Sequence, residues 1–322
     1  MASLLSVENL QVQFQTKKGI NTAVDGVSFS VEKGRILGIV GESGCGKSVT
    51  SMSILQLLGS NARISGGSIK LDGKELIGLP EKEMCRIRGN DIAMIFQDPM
   101  TAPNPTLTIG TQLMEPIMLH QNCGKKEAWT RAVDVLKRVG IAAPEKRMKE
   151  YPHQLSGGMR QRVMIAMAVS CEPRLLIADE PTTALDVTIQ AQILELMCEL
   201  REKMGTAIML ITHDMGVVAE TADDVLVLYA GKAVEYGSIE DIFERPKHPY
   251  TQGLLNSIPR LDEDVELLNT IEGTVPAPDA MPAGCRFAPR CPYGKDRCMK
   301  EKPGVYHAGN SLVSCFRYEG EK

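Results

Sequence analysis

The sequence lacks an excess of basic charge. Its 36 Lys and Arg face 40 Asp and Glu, for a formal net charge of −4, so it offers no broad basic surface of the kind that binds phosphate backbones. Nucleic acid is therefore not an expected partner. Also missing is any run of the ~18 to 20 apolar residues that a bilayer-spanning helix requires. The start, Met1-Ala2-Ser3-Leu4-Leu5-Ser6-Val7-Glu8, has neither the basic region nor the sustained apolar stretch of a secretion signal. Together these absences predict a chain that stays in the cytosol and meets a membrane only through a partner. Nine cysteines in 322 residues do not suit a disulfide scaffold, which belongs to much shorter secreted chains.

What is present reads as α/β, with one large unit and a smaller appendage. Alternating runs such as Leu10-Gln11-Val12-Gln13-Phe14 and Ser68-Ile69-Lys70-Leu71-Asp72-Gly73 predict antiparallel hairpins over the first seventy residues. Apolar runs at Arg35–Val40, Asp91–Phe96, Leu175–Ala178, Ala207–Ile211 and Val225–Leu228 predict buried strands of a parallel sheet. A helical stretch from about Thr108 to Glu150 interrupts them, and another helix is expected over about 188–203. Beyond residue 258 the composition shifts, since seven of eighteen prolines and four of nine cysteines fall between Pro259 and Lys322. That tail should be loop-rich and in need of a staple. The expected division is a unit over 1–258, with a helical subdomain at about 98–170, followed by an extension over 259–322.

Three stretches carry chemistry. Gly41-Glu42-Ser43-Gly44-Cys45-Gly46-Lys47-Ser48 fits G-x-x-x-x-G-K-[ST] and stands between a strand and a helix, the context which that phosphate loop needs. Its amides would curl round phosphates, Lys47 would reach the β and γ groups, and the Ser48 hydroxyl would ligate Mg²⁺. Cys45 is expected to contribute backbone alone. Asp179 and Glu180 follow the strand at 175–178, at the sheet edge where ligands bind. Asp179 suits Mg²⁺ and Glu180 suits a base that polarises an attacking water. Gln97 and His213 leave their own strands at the same inferred edge and can hydrogen-bond a phosphate, a metal-bound water or that attacking water. The third stretch is Leu155-Ser156-Gly157-Gly158-Met159-Arg160-Gln161, where two glycines expose amides at the start of a helix and so offer a second anion-binding terminus.

The order of these motifs resembles the nucleotide-binding subunit of ATP-binding cassette (ABC) transporters, from residue 4 to about 250. The resemblance implies a P-loop NTPase fold of ABC type, with an antiparallel β subdomain and a helical subdomain. It implies that Gly41–Ser48 is Walker A, Leu175–Glu180 is Walker B, Gln97 is the Q-loop glutamine and also a Mg²⁺ ligand, and His213 is the switch histidine. Ala184-Leu185-Asp186 looks like the D-loop, with Asp186 at the nucleotide, and Phe14 is the candidate for stacking on adenine. It further implies that Ser156, Gly157 and Gly158 serve the ATP of a second cassette facing head to tail. Met159 departs from the family pattern, where Gln is commoner. The stretch Pro246-Lys247-His248-Pro249-Tyr250-Thr251 and the tail are similar to the dipeptide/oligopeptide branch of bacterial importers, which also includes nickel and metal-chelate importers. That implies a related ATPase subunit as partner, two transmembrane permease subunits, indirectly a substrate-binding protein, and a place at the cytoplasmic face of the membrane.

The alternative readings are a soluble cassette ATPase and a non-hydrolysing scaffold. Under sixty residues separate Gln97 from the signature, too few for the coiled coil of DNA-repair relatives. Both Glu180 and His213 are present, which a scaffold does not require.

In the tail, Cys285, Cys291, Cys298 and Cys315 place four thiols in a segment with little apolar material. Tetrahedral zinc, a [4Fe–4S] cluster and plain structural thiols all compete, although no paired C-x2-4-C knuckle occurs. The resemblance to peptide-permease ATPases implies the cluster, with zinc as the alternative. Arg286, Arg290, Lys295 and Arg297 could offset its negative charge or simply be solubilising surface.

Overall fold

The computed structural model describes residues 3–17, 19–98, 102–183, 185–258, 270–277 and 280–320. Ala184 and the start of the tail at Pro259 lie outside them.

Two sheets share one core. The smaller is built from β1 (Ser3–Thr16), β2 (Gly19–Glu32), β4 (Ala62–Leu71) and β5 (Lys74–Glu75), in the antiparallel order β2-β1-β4-β5. These are the hairpins that the alternating pattern predicts. Asp72 and Gly73, between β4 and β5, both have positive φ (51° and 82°), which a two-residue hairpin turn needs and an Asp-Gly pair tolerates.

The larger sheet takes β3 (Ile36–Val40), β6 (Ile92–Ile95), β7 (Leu175–Asp179), β8 (Ala207–Thr212), β9 (Asp224–Tyr229), β10 (Lys232–Ser238), β11 (Tyr306–Ala308) and β12 (Ser311–Val313). Its order is β11-β12-β10-β9-β3-β8-β7-β6, parallel from β9 to β6 and antiparallel beyond β9. Alternate residues of the parallel strands face opposite ways, and both faces are buried. Leu176, Ala178, Ile208 and Leu210 join a core with the helices, while Leu175, Ile177, Met209 and Ile211 join a core with the small sheet. Burial on both faces is why these strands read as unbroken apolar runs.

The helices are α1 (Lys47–Ile54), α2 (Glu81–Ile87), α3 (Ile109–Gln121), α4 (Lys125–Arg138), α5 (Pro144–Arg147), α6 (Gly157–Val169), α7 (Val187–Met204), α8 (Met215–Thr221), α9 (Ile239–Glu244), α10 (Pro249–Asn256) and α11 (Asp296–Lys300). The stretch from 109 to 147 is helical, as its periodicity predicts. Among the described residues no helix is long and apolar enough to cross a membrane.

The cysteine-bearing segment is loop-rich, yet it packs onto the larger sheet. Strand β12 pairs with β10 through Glu235↔Val313 and Tyr236↔Leu312. Phe287, 2% exposed, lies edge-on to Tyr229 and tilted against Tyr250, at centroid distances of 5.1 and 5.4 Å. Each such aromatic pair adds about 0.5–1.5 kcal/mol beyond its buried area, so this segment is tied down by packing as well as by any staple.

Candidate nucleotide site

Strand β3 delivers the chain into the loop at 41–46, and α1 takes it away at Lys47. Two glycines are dictated by close backbone approach. A Cβ on Gly41 (φ +151°) would stand 2.1 Å from the Leu228 carbonyl oxygen, and one on Gly46 (φ +100°) would stand 3.0 Å from that of Ala23. The Lys47 side chain is sunk into the loop at 6% exposure, donating to the carbonyls of Gly41 (2.7 Å) and Glu42 (3.3 Å). Cys45 donates its amide to the Glu42 carbonyl at 3.2 Å. Its buried thiol, pushed up in pKa by that burial, packs in the core below the small sheet. Ser43, Gly44 and Ser48 are exposed.

Beside the loop, β7 ends in Asp179, which is 3% exposed. Burial raises its pKa foremost and the neighbouring Glu180 charge adds to this, against a hydrogen bond from Ser48 that lowers it. The Oδ1 atom of Asp179 is buried with no hydrogen-bond partner. An orphaned carboxylate oxygen next to a hydroxyl is a donor set that fits a hard divalent cation.

Glu180 adopts a left-handed backbone (φ +48°), rare and strained for a non-glycine residue. Its amide is held by the Ile211 carbonyl at 2.8 Å. On its carboxylate, Oε2 accepts from Gln97 Nε2 (2.9 Å) and Thr183 Oγ1 (3.0 Å), and Oε1 faces His213 Nδ1 at 3.4 Å. Burial works to raise its pKa, but the bonds from Thr183 and His213 prevail and leave it lowered. Gln97 and His213, read as neighbours of Glu180 from strand ends alone, are thus both in contact with it. Thr183 escaped the sequence reading. Its signal was there, three residues after a strand-end glutamate.

Ser156 caps α6, accepting from the Met159 amide at 3.4 Å, and Asp186 caps α7, accepting from the Ile189 amide at 2.9 Å. Ser156 and Gly157 are exposed, and a Cβ on Gly157 would meet nothing within 4 Å. Among the described residues no hydrogen bond joins 156–158 to 41–48. Gln161, singled out only as the end of the heptapeptide, is buried and donates to the Pro181 carbonyl, tying α6 to the turn after Glu180. Phe14 is half-buried and packs against the core of the small sheet, so the contact that it makes here is apolar packing.

Cys285, Cys291, Cys298 and Cys315 line one cavity of about 80 Å³, with His248 and Phe287 among the other walls. Burial pushes the Cys285 thiol up to about 11, and the charges of Cys291 and Cys298 add to it. Burial likewise raises Cys291 and Cys315. Among the described residues no three His, Cys, Asp or Glu side chains are gathered closely enough to hold a single metal ion. Two of the arginines read as balancing charge for a cluster turn elsewhere. Arg286 pairs with Asp25 at 2.9 Å and Arg290 with Glu42 at 2.7 Å.

Residues 24–183 match the family model described as ABC transporter, and residues 234–298 match that described as the oligopeptide/dipeptide transporter C-terminal region. The oligopeptide transport ATP-binding protein AppD of Bacillus subtilis (strain 168) is 56% identical, over 100% of this chain and 98% of its own length. The chain belongs to the ABC transporter family. Within that family its C-terminal region is of the oligopeptide/dipeptide type. The dipeptide transport ATP-binding protein DppD of the same organism is 54% identical over 98% of this chain and 95% of its own. The oligopeptide transport ATP-binding protein OppD of Escherichia coli (strain K12) is 51% identical over 98% and 93%. Among solved structures, the ABC cassette MJ0796, a dimer in a post-hydrolysis state bound to ADP and Pi, aligns with a TM-score of 0.66. It is 27% identical over 73% of this chain and 98% of that one. ABC cassettes of this kind are ATPases that dimerise and work with membrane permease subunits.

Proposed function

We propose that this ABC ATPase powers import of dipeptides or oligopeptides. The observation that carries the reading is the match to peptide-transport ATP-binding proteins along essentially the whole chain, cysteine segment included. In this reading residues 1–258 form the cassette and 259–322 its extension. The chain pairs with a related cassette beneath two permease subunits at the cytoplasmic face of the membrane, fed by a substrate-binding protein. Cells lacking the chain should lose uptake of labelled di- to pentapeptides and keep nickel uptake. Loss of nickel uptake with intact peptide uptake would instead favour the metal-chelate importer.

The geometry supports the following site chemistry. The loop Gly41, Glu42, Ser43, Gly44, Cys45, Gly46 would wrap the phosphates of ATP with its amides, and the Lys47 ammonium would exchange its carbonyl acceptors for β and γ oxygens. Ser48 and Asp179, with Gln97, would hold Mg²⁺, which supplies charge neutralisation at those oxygens. Glu180, ionised because Thr183 and His213 favour its charged form, takes a proton from the attacking water. Gln97 and His213 orient that carboxylate and its water. The exposed Ser156 and Gly157, with the half-buried Gly158, serve the partner's ATP, Asp186 remains the candidate D-loop contact at the nucleotide, and Phe14 remains the candidate adenine contact.

The four tail thiols are proposed as ligands of a [4Fe–4S] cluster. What supports this reading is that all four thiols line one cavity, a tetrahedral zinc being the alternative. When bound, the cluster would supply a staple for a loop-rich segment and hold as thiolates Cys285, Cys291 and Cys315, whose pKa values burial raises. Anaerobically purified protein should show visible absorption with iron and acid-labile sulfide, all lost in Cys298→Ser. A colourless protein with stoichiometric zinc would sink the cluster.

A further inference from the structure

The phosphate loop is gripped from outside the cassette motifs by the short segment between the first two tail cysteines. Every handle of Glu42 is taken. Its carbonyl accepts from Lys47, its amide donates to the Tyr250 hydroxyl at 2.9 Å, and its carboxylate receives a two-pronged bond from Arg290, at 2.7 and 3.0 Å. Arg290 lies 248 residues further along and immediately before Cys291.

That guanidinium is fully committed. Nε donates to the Glu272 carbonyl (3.0 Å), Nη1 also to the Tyr229 hydroxyl (3.4 Å), and Nη2 also to the Ile271 carbonyl (3.1 Å). Its side chain is 5% exposed, and it lies over the Tyr229 ring at 5.7 Å. Five donors meet five acceptors, so the fork has one orientation. With the Glu42 side chain 30% exposed, the pair is only partly buried, and such a pair contributes little net stability. What an arginine fork does contribute is fixed geometry at the carboxylate.

A second grip reaches the far end of the loop. Arg286, immediately after Cys285, bonds Asp25 at 2.9 Å and the Ala230 carbonyl. The Asp25 amide donates to the Gly231 carbonyl at 2.9 Å, and the Gly231 amide donates to the Cys45 carbonyl at 2.9 Å. Both ends of the stretch 42–45 are therefore referenced to the segment 285–291.

We propose that the segment Cys285–Cys291 is a clamp that sets the nucleotide affinity of the phosphate loop, with Arg290 as the positioning residue acting through Glu42. The inference rests on the reading of 41–48 as the ATP loop. Lys47 hangs on the carbonyls of Gly41 and Glu42, so a Glu42 that swings free shifts both the lysine and the amides that would meet the phosphates. Whatever binds or modifies the flanking thiols is then energetically linked to ATP, in both directions.

The test is equilibrium binding of a fluorescent ATP analogue to the full chain. Arg290→Ala should weaken it about ten-fold, within the range usual for coupled sites. Arg290→Lys, a point charge that cannot fork, should fall between the two. Lys300→Ala, an exposed cation of the same extension, should bind like wild type. Glu42→Ala should cost the same factor as Arg290→Ala, and the double variant no more than either. In the cassette dimer, KM for ATP should rise by that factor with kcat changed far less. Limited proteolysis of residues 280–318 should show the segment as protected in Arg290→Ala as in wild type. Wild-type affinity in Arg290→Ala would overturn the clamp. So would losses that multiply in the double variant, or a weakening that tracks digestion of the segment. If wild type itself fails to bind the analogue, the nucleotide reading of the loop falls, and the clamp with it.

Discussion

Glu180→Gln is expected to lower ATP turnover by roughly 10²- to 10⁴-fold, the range of a lost general base, while leaving ATP binding near the wild-type level. The substitution keeps the side chain's shape and one oxygen able to accept from Gln97 and Thr183, whose bonds at 2.9 and 3.0 Å fix its place. It removes the negative charge that takes a proton from water. ATP then persists in the site, and the variant should accumulate as an ATP-bound closed dimer in size-exclusion chromatography with MgATP. Brisk hydrolysis by this variant would refute the role assigned to Glu180 and turn attention to His213, 3.4 Å away.

Gly157→Asp is expected to abolish turnover in the cassette dimer, by about 100-fold or more on the scale of a lost transition-state contact, without disturbing the fold. The position is exposed and a Cβ there touches nothing within 4 Å, whereas at Gly158 it would press on Ile189 at 3.2 Å. An acidic residue in the first turn even favours the helix that follows. In the proposed reading, however, its charge stands where the α6 terminus meets the partner's ATP, and it would repel a phosphate presented by a second cassette. Glu180→Gln shares the phenotype of ATP binding without turnover; what marks a site split between two chains is that phenotype at a residue with no hydrogen bond to the chain's own loop 41–48 among the described residues.

Much of this was legible in the sequence because it is local. The phosphate loop announces itself through glycines that close backbone approach demands, as at Gly41 and Gly46. The parallel strands are apolar because both faces are covered, and the caps Ser156 and Asp186 sit directly before the helices that they start. Even the meeting of Gln97, Glu180 and His213 could be inferred, since neighbouring parallel strands end at one edge. What stayed hidden is long-range pairing. Nothing in the pattern around Arg290 or Arg286 points to Glu42 or Asp25, and the same residues read equally well as counter-charges for a cluster. The short strands Tyr306–Ala308 and Ser311–Val313 are recognisable only once Lys232–Ser238 is there to pair with them. The left-handed backbone of Glu180 is likewise invisible in a sequence where glutamate has no reason to adopt it.

The central claim is that this chain holds ATP with its own loop and completes the partner's site with its own signature. The measurement that tests it most directly is the affinity of the isolated chain for a fluorescent ATP analogue, compared across wild type, Lys47→Ala and Gly157→Asp. The account predicts a large loss for Lys47→Ala, which removes the loop's buried ammonium, and wild-type affinity for Gly157→Asp. A Gly157→Asp chain that loses affinity as severely as Lys47→Ala would place the signature in the chain's own nucleotide site and contradict the account.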